Sequence, residues 1–289
     1  VLGTTLEFVT FEKTKKAREA CDAALAEIDR LELIYSRFNP GSELNTFLAA
    51  PLGHAVKVSP DLHYLLGQSL EWVKHTHGAF HPGSDLFSAL WREGAARGHI
   101  PEDLEKYLDY FKEDFCRLES TTAIRLFPFG LNFNAIAKGL IVDRAACMAQ
   151  LYSKYIVLSI GGDICHLGSK PISIKIEDLA VDNARPKLSI KIQNQAVASS
   201  GGSRRNFRIK DMDYSHIIDP RSGQSINHIL FVTVIAPDCL TADVLATAFS
   251  VLTPEESLAL ADSTSGIGCL ITDNTYNTYS NSFFDKHVV

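Results

Sequence analysis

Residues 229–235 read Ile-Leu-Phe-Val-Thr-Val-Ile, the heart of the longest strongly apolar stretch in the chain. A membrane helix needs about 18–20 apolar residues, so this run is too short to cross a bilayer. It also lacks the alternation of a half-buried strand, and it therefore predicts a strand of the fully buried kind. Helical spacing follows over 241–252 and 254–261, the second segment opening on Thr253 as its cap. A strand over 267–272 and a polar tail close the sequence.

The same two periodicities interleave upstream. Residues 6–11 read as a strand, and Ala20, Ala24, Ile28 and Leu31 recur at helical spacing. Ser42 is positioned to cap a short helix ending near Leu48, and Ser59 with Pro60 opens another that stops near Gly78. Residues 101–111 predict a helix with Glu102 and Asp103 in its first turn. Strands are expected over 55–58, 116–119, 123–127, 156–160, 172–176 and 188–192, and residues 132–152 open as a loop and become a helix. The string Ser-Ile-Lys-Ile occurs at both Ser173 and Ser189, which two matched amphipathic strands suffice to explain. Long helices among antiparallel-looking strands indicate an α+β fold. No low-complexity or linker-like segment divides the 289 residues, so a single domain over 1–289 is expected.

Charge narrows the function. Lys plus Arg is 28 against 34 Asp plus Glu, a net charge of −6, which argues against a general nucleic-acid binder. A local basic pocket for a small anion remains compatible with it. The six cysteines include no Cys-x-x-C pair, and most lie in apolar surroundings, the pattern of buried free thiols.

Six constellations carry chemistry. Asp243-x-x-x-Thr247 puts a carboxylate and a hydroxyl one helical turn apart, a pair of hard oxygen donors suited to Mg²⁺ or Ca²⁺. Taken alone, the commoner use of these residues is to complement the helix dipole and to back-bond a carbonyl. Ser199-Ser200-Gly201-Gly202 with Arg204 and Arg205, and Gly161-Gly162-Asp163, resemble anion-cradling loops, although plain turns are the commoner use of such glycines. His216, three residues before Asp219, is a candidate general base that Asp219 would orient. His75, His77 and His81 invite a zinc site but lack a regular ligand spacing. Lys138, near a helix start in Asn132-Phe133-Asn134-Ala135-Ile136-Ala137-Lys138-Gly139, is placed to contact a diphosphate or simply to be solvated.

Their order along the chain resembles the ApbE family of flavin transferases. The resemblance runs from about Glu27 to Thr272. It rests on Tyr35-Ser36-Arg37-Phe38-Asn39-Pro40-Gly41-Ser42-Glu43-Leu44-Asn45, Thr76-His77-Gly78-Ala79-Phe80-His81-Pro82, Ala137-Lys138-Gly139 with Asp143, Gly161-Gly162-Asp163 and Ser199-Ser200-Gly201. The strongest blocks are 214–223 and 233–252. It implies an α+β fold of two similar fused halves with the FAD site between them. It implies an Mg²⁺-dependent FAD:protein FMN transferase, which joins FMN through its phosphate to a Thr or Ser of an acceptor protein and releases AMP. The acceptors implied are subunits of respiratory quinone-reductase type. An FAD pyrophosphatase and a non-catalytic FAD-binding protein are the alternatives.

By the same resemblance the metal ligands fall on Asp243, Thr247 and the Ala137 carbonyl, which reverses the weighing of Asp243 given above. The base falls on His216. The flavin and nucleotide pocket draws on Ser42, Gly78, Phe80, Lys138, Asp143, Ser200 and Gly201. The family commonly has Asp where this chain has Asn132 and His81, and Thr where it has Ser199. A periplasmic or membrane-anchored location, with a lipid anchor upstream of Val1, is also implied, whereas the unpaired cysteines lean toward the cytoplasm.

Overall fold

The computed structural model describes residues 2–176, 188–201 and 206–289. In chain order the elements are β1 (Leu6–Val9), α1 (Thr14–Tyr35), α2 (Glu43–Ala49), β2 (Ala55–Lys57), α3 (Pro60–His75), α4 (Asp85–Arg97), α5 (Glu105–Leu108), β3 (Cys116–Leu118) and β4 (Thr122–Arg125). There follow α6 (Asn134–Gln150), β5 (Ile156–Ile160), β6 (Asp163–Leu167), β7 (Ile172–Lys175), β8 (Ser189–Ile192), β9 (Ala196–Gly201), β10 (Asn206–Ile209) and β11 (Met212–Ser215). The chain ends with β12 (Ile229–Ala236), α7 (Cys239–Phe249), α8 (Pro254–Ser263), β13 (Gly268–Asp273), β14 (Thr278–Ser280) and α9 (Ser282–Asp285). This is an α+β chain. Among the described residues no helix is long and apolar enough to cross a membrane.

The residues fall into two compact units. The first comprises residues 1–31, 135–201 and 229–289, the second 32–134 and 202–228. Neither is a continuous stretch of chain.

The first unit is built on a seven-stranded antiparallel sheet in the order β1-β5-β6-β9-β12-β13-β14. The apolar run 229–235 lies in β12, paired on both sides and fully buried from Val232 to Ala236. Helix α7 packs against β9 and β12. On Ile235 and Val197 of the same two strands sit Ile190, Ile192 and Phe284. Each such side chain removed from water stabilises the fold by about 1.5–3 kcal/mol. The two Ser-Ile-Lys-Ile strings face each other: β7 and β8 pair antiparallel, with Ile174 opposite Ile190 and Ser173 opposite Lys191. Helix α1 buries Ala20, Ala24, Ile28 and Leu31, the stripe its periodicity predicts.

The second unit holds the small sheet β2-β4-β3, the hairpin β10-β11 and helices α2 to α5. Its core gathers Phe87, Trp91, Leu104, Ile209 and Ile218, with the Phe87 and Phe111 rings stacked at 4.8 Å. Trp91 Nε1 donates to the Gly223 carbonyl at 2.9 Å, and Gly223 at φ +70° has the Phe87 ring where a Cβ would stand.

One expectation needs correction, and two elements go beyond the expectations. The helix over 101–111 does not begin until Glu105 and is a single α-turn followed by a 3₁₀ turn, because Asp103 at φ +55° interrupts the backbone. The long helix of this region is instead α4, closed by Gly98 in the left-handed conformation. The polar tail is ordered: Asn281 caps α9 by accepting from Phe284 N–H, and Phe284 is fully buried.

Candidate functional site

In the first unit the chemistry gathers at the first turn of α6. Asp243 and Thr247 lie one turn apart on α7, as their spacing requires. Helix α7 begins at Cys239, two residues earlier than its pattern predicts, because Asp238 caps it by accepting from Thr241 N–H at 2.8 Å. Asp243 is buried, and its Oδ2 accepts the Gly139 N–H at 3.2 Å. Lys138 Nζ lies 4.0 Å from Asp243 Oδ1 and 2.7 Å from Asp163 Oδ2. Asp163 is buried at the start of β6, just after Gly161 and Gly162, which turn the chain at φ +60° and +96°. The Gly-Gly-Asp string is therefore a turn that delivers a buried carboxylate.

Among the described residues, two buried carboxylates thus share one ammonium. Burial, and repulsion from Asp243, push the Asp163 carboxyl well above the usual carboxylate range, against the pull of Lys138. Burial raises Asp243 as well, opposed by Lys138 and the Gly139 N–H. Burial alone would lower Lys138, but the two carboxylates outweigh it and hold the ammonium above its ordinary value. Among the described residues Asp163 Oδ2 takes no well-directed hydrogen bond, although the ammonium lies beside it. Surplus negative charge, hard oxygen donors and a buried oxygen without a directed donor fit a divalent cation such as Mg²⁺. Ala137 is buried on α6 beside Lys138, and its carbonyl has a second lone pair beyond the helical hydrogen bond.

Asp143, five residues beyond Lys138 on α6, points elsewhere. Its Oδ1 accepts the Cys239 N–H at 2.8 Å and its Oδ2 the Leu240 N–H at 2.9 Å. Burial pushes its carboxyl up to about 6 despite those two donors.

Ser199, Ser200 and Gly201 do not form a loop. They end β9, opposite Thr233, Val232 and Phe231 of β12. Ser199 Oγ and Thr233 Oγ1 share a hydrogen bond at 3.0 Å, and Ser200 Oγ accepts from Ser250 Oγ at 2.9 Å. Only the expectation of a loop is corrected here: residues 199–201 are strand, paired with β12 along one edge. Gly202, Arg204 and Arg205 lie outside the described residues.

The second unit holds Ser42, Gly78, Phe80 and His216. Ser42 is fully buried as the cap of α2, its Oγ accepting from Asn45 N–H at 3.1 Å. Gly78 turns the chain at φ +79°, with Arg221 Cγ 3.4 Å from where its Cβ would stand. Phe80 is buried, and its N–H donates to Thr76 Oγ1 at 3.1 Å. Segments 76–83 and 216–223 therefore meet. His216 is half-buried just after β11. The Asp219 carboxylate accepts from Arg221, whose N–H, Nε and Nη2 donate at 2.8, 2.9 and 2.9 Å.

Among the described residues no group of three His, Cys, Asp or Glu side chains is gathered for a metal. His75 Nδ1 donates to the Glu71 carbonyl on α3. His81 is buried among Phe111, Phe115 and Phe127, and its Nδ1 accepts from Gly83 N–H. The zinc expectation thus fails on geometry. A cavity of about 750 Å³ in the second unit, lined by Leu70, Lys112, Asp114, Arg117, Leu118 and Leu126 among others, contains none of the predicted residues.

Comparison with known proteins agrees with the fold. The model of the ApbE family matches residues 2–271. An FAD:protein FMN transferase of Vibrio cholerae is 36 % identical over 276 residues, covering 89 % of this chain and 82 % of the relative. One of Haemophilus influenzae is 29 % identical over 297 residues, covering 94 % and 84 %. The crystal structure of the ApbE protein of Thermotoga maritima superposes with a TM-score of 0.85 at 25 % identity, covering 99 % of this chain and 96 % of that one. The flavin transferase ApbE of Vibrio cholerae superposes with a TM-score of 0.81 at 26 % identity, covering 99 % and 96 %.

Proposed function

This chain belongs to the ApbE family, and from that premise we propose that it is an Mg²⁺-dependent FAD:protein FMN transferase, residues 1–289 acting as one flavin transferase domain. The observation that carries the reading is the buried cluster of Asp243 and Asp163 around the Lys138 ammonium near the start of α6. The names of the relatives support the reaction, and the oxygen donors of the cluster support a cation there.

Asp243, Thr247 and the Ala137 carbonyl would hold Mg²⁺. A cation bound there would supply charge to neutralise the diphosphate and to stabilise the leaving oxygen of AMP. Asp163 keeps Lys138 charged and directed, so that an ammonium stands ready for a phosphate oxygen. An acceptor hydroxyl is a weak nucleophile, and His216 is assigned to take its proton as the oxygen attacks the FMN phosphorus. The P–O bond to AMP breaks, AMP leaves with the bridging oxygen, and a phosphoester to Thr or Ser remains. Ser42, Gly78 and Phe80 serve the flavin pocket through backbone shape. We place the acceptor among respiratory quinone-reductase-type subunits, and the protein in the periplasm or on a lipid anchor facing it.

The test mixes the protein with FAD, Mg²⁺ and a candidate acceptor domain, then looks for a fluorescent flavin band on a denaturing gel. A labelled acceptor and stoichiometric AMP are expected. AMP and FMN without a labelled protein would make the chain an FAD pyrophosphatase. FAD binding with no AMP at all would overturn both enzyme readings.

A further inference from the structure

One face of α6 grips the start of α7 at three points. Gly139 leaves room for α7 to approach: a Cβ there would run into the Cys239 carbonyl and stand 2.8 Å from Leu240 Cα. The Gly139 N–H donates to Asp243 Oδ2 at 3.2 Å. Four residues on, on the same face of α6, Asp143 accepts the N–H groups of Cys239 and Leu240.

These contacts exceed what helix capping needs. The first N–H groups of a helix have no partner within it, and a local side chain ordinarily meets one of them. Asp238 already does so, at Thr241 N–H. The two before it, those of Cys239 and Leu240, are met by the Asp143 carboxylate, 96 and 97 residues away in sequence. A bidentate hold of this kind fixes both the distance and the rotation of α7 against α6.

We propose that Asp143 is a positioning residue for the cation site. It holds α7 in the register that brings Asp243 Oδ2 to the Gly139 N–H and carries Thr247 along one turn later, while touching neither ligand. The inference rests on the assignment of Asp243 as a metal ligand. It moves Asp143 from the flavin pocket, where the family resemblance put it, to the support of the metal site.

The test uses the full chain without FAD and Mn²⁺ as the probe, with binding followed by electron paramagnetic resonance. Asp143→Asn keeps the size of the side chain but turns an NH₂ toward one of the two donors. Groups outside the ligand set that orient it are typically worth 10–100-fold in metal affinity, so Asp143→Asn should weaken Mn²⁺ binding at least ~10-fold. Asp238→Ala removes only the local cap and should lower the melting temperature while leaving Mn²⁺ affinity within about threefold of wild type. Hydrogen exchange in the wild-type protein gives a second measure that needs no variant: the Cys239 and Leu240 amides should be protected. Unchanged Mn²⁺ affinity in folded Asp143→Asn would overturn the inference, as would free exchange of both amides in the wild type. Equal Mn²⁺ binding by the wild type and Asp243→Ala would overturn the ligand assignment itself, and the inference with it.

Discussion

Lys138 and Asp163 form an ion pair of 2.7 Å that ties the first turn of α6 to the start of β6, with Asp163 1 % exposed. Removing one partner of a buried pair leaves an uncompensated charge, which is costlier than the pair is worth. Lys138→Met strands two carboxylates, Asp163 and Asp243, and should destabilise the protein by about 2–3 kcal/mol, less than for a fully buried pair because Lys138 is partly exposed. Asp163→Asn leaves Asp243 to face the ammonium and should cost less. Urea denaturation of the two variants gives the order, and a larger loss for Asp163→Asn would contradict the shared-ammonium account.

Asp243→Ala should abolish Mg²⁺-dependent release of AMP from FAD. Losing a ligand that holds the cation in the transition state costs about 4 kcal/mol or more, roughly 10³-fold in rate. Chromatographic assay of AMP against added Mg²⁺ checks this. Undiminished activity with full Mg²⁺ dependence would refute the site.

His216→Ala should slow flavin transfer about 10²–10⁴-fold, the range expected for a lost general base, and spare FAD binding. Flavin fluorescence on titration with the protein measures binding apart from turnover. If binding alone is impaired, His216 belongs to the pocket rather than to the proton transfer.

Stability should fall as the pH is lowered through the range of His81. Burial among three phenylalanine rings lowers its pKa from 6.5 to about 4. The unfolded state then binds more protons than the native state between those values. The native state keeps its full advantage above pH 6.5 and loses it as the pH falls toward 4, by an amount on the order of 3 kcal/mol. His81→Asn retains an acceptor for Gly83 N–H but does not titrate, so its melting temperature should depend less on pH over this interval. Parallel profiles would contradict the account.

Much of the fold was legible because its signals are local. Ser42, Ser59 and Thr253 accept the capping hydrogen bonds their positions predict. Helix α4 carries a weaker signal: Arg97 and Gly98 mark its end, but Gly94 and the short alanine run blur its periodicity. Phe284 in the tail carried no periodic signal at all, since a single ring finds its partners across the sheet rather than along the chain.

By itself the sequence determined an α+β chain around one fully buried strand, and it put Asp243 and Thr247 on one helical face. Sterics and hydrogen bonding within a few residues decide such matters. Only the tertiary structure decided that Asp163 joins Lys138 and Asp243, that Asp143 holds the start of α7, and that residues 199–201 belong to a strand. Each of those depends on which distant backbone arrives alongside. A carboxylate in water and a carboxylate buried beside another read identically in a sequence, and burial is what separates them.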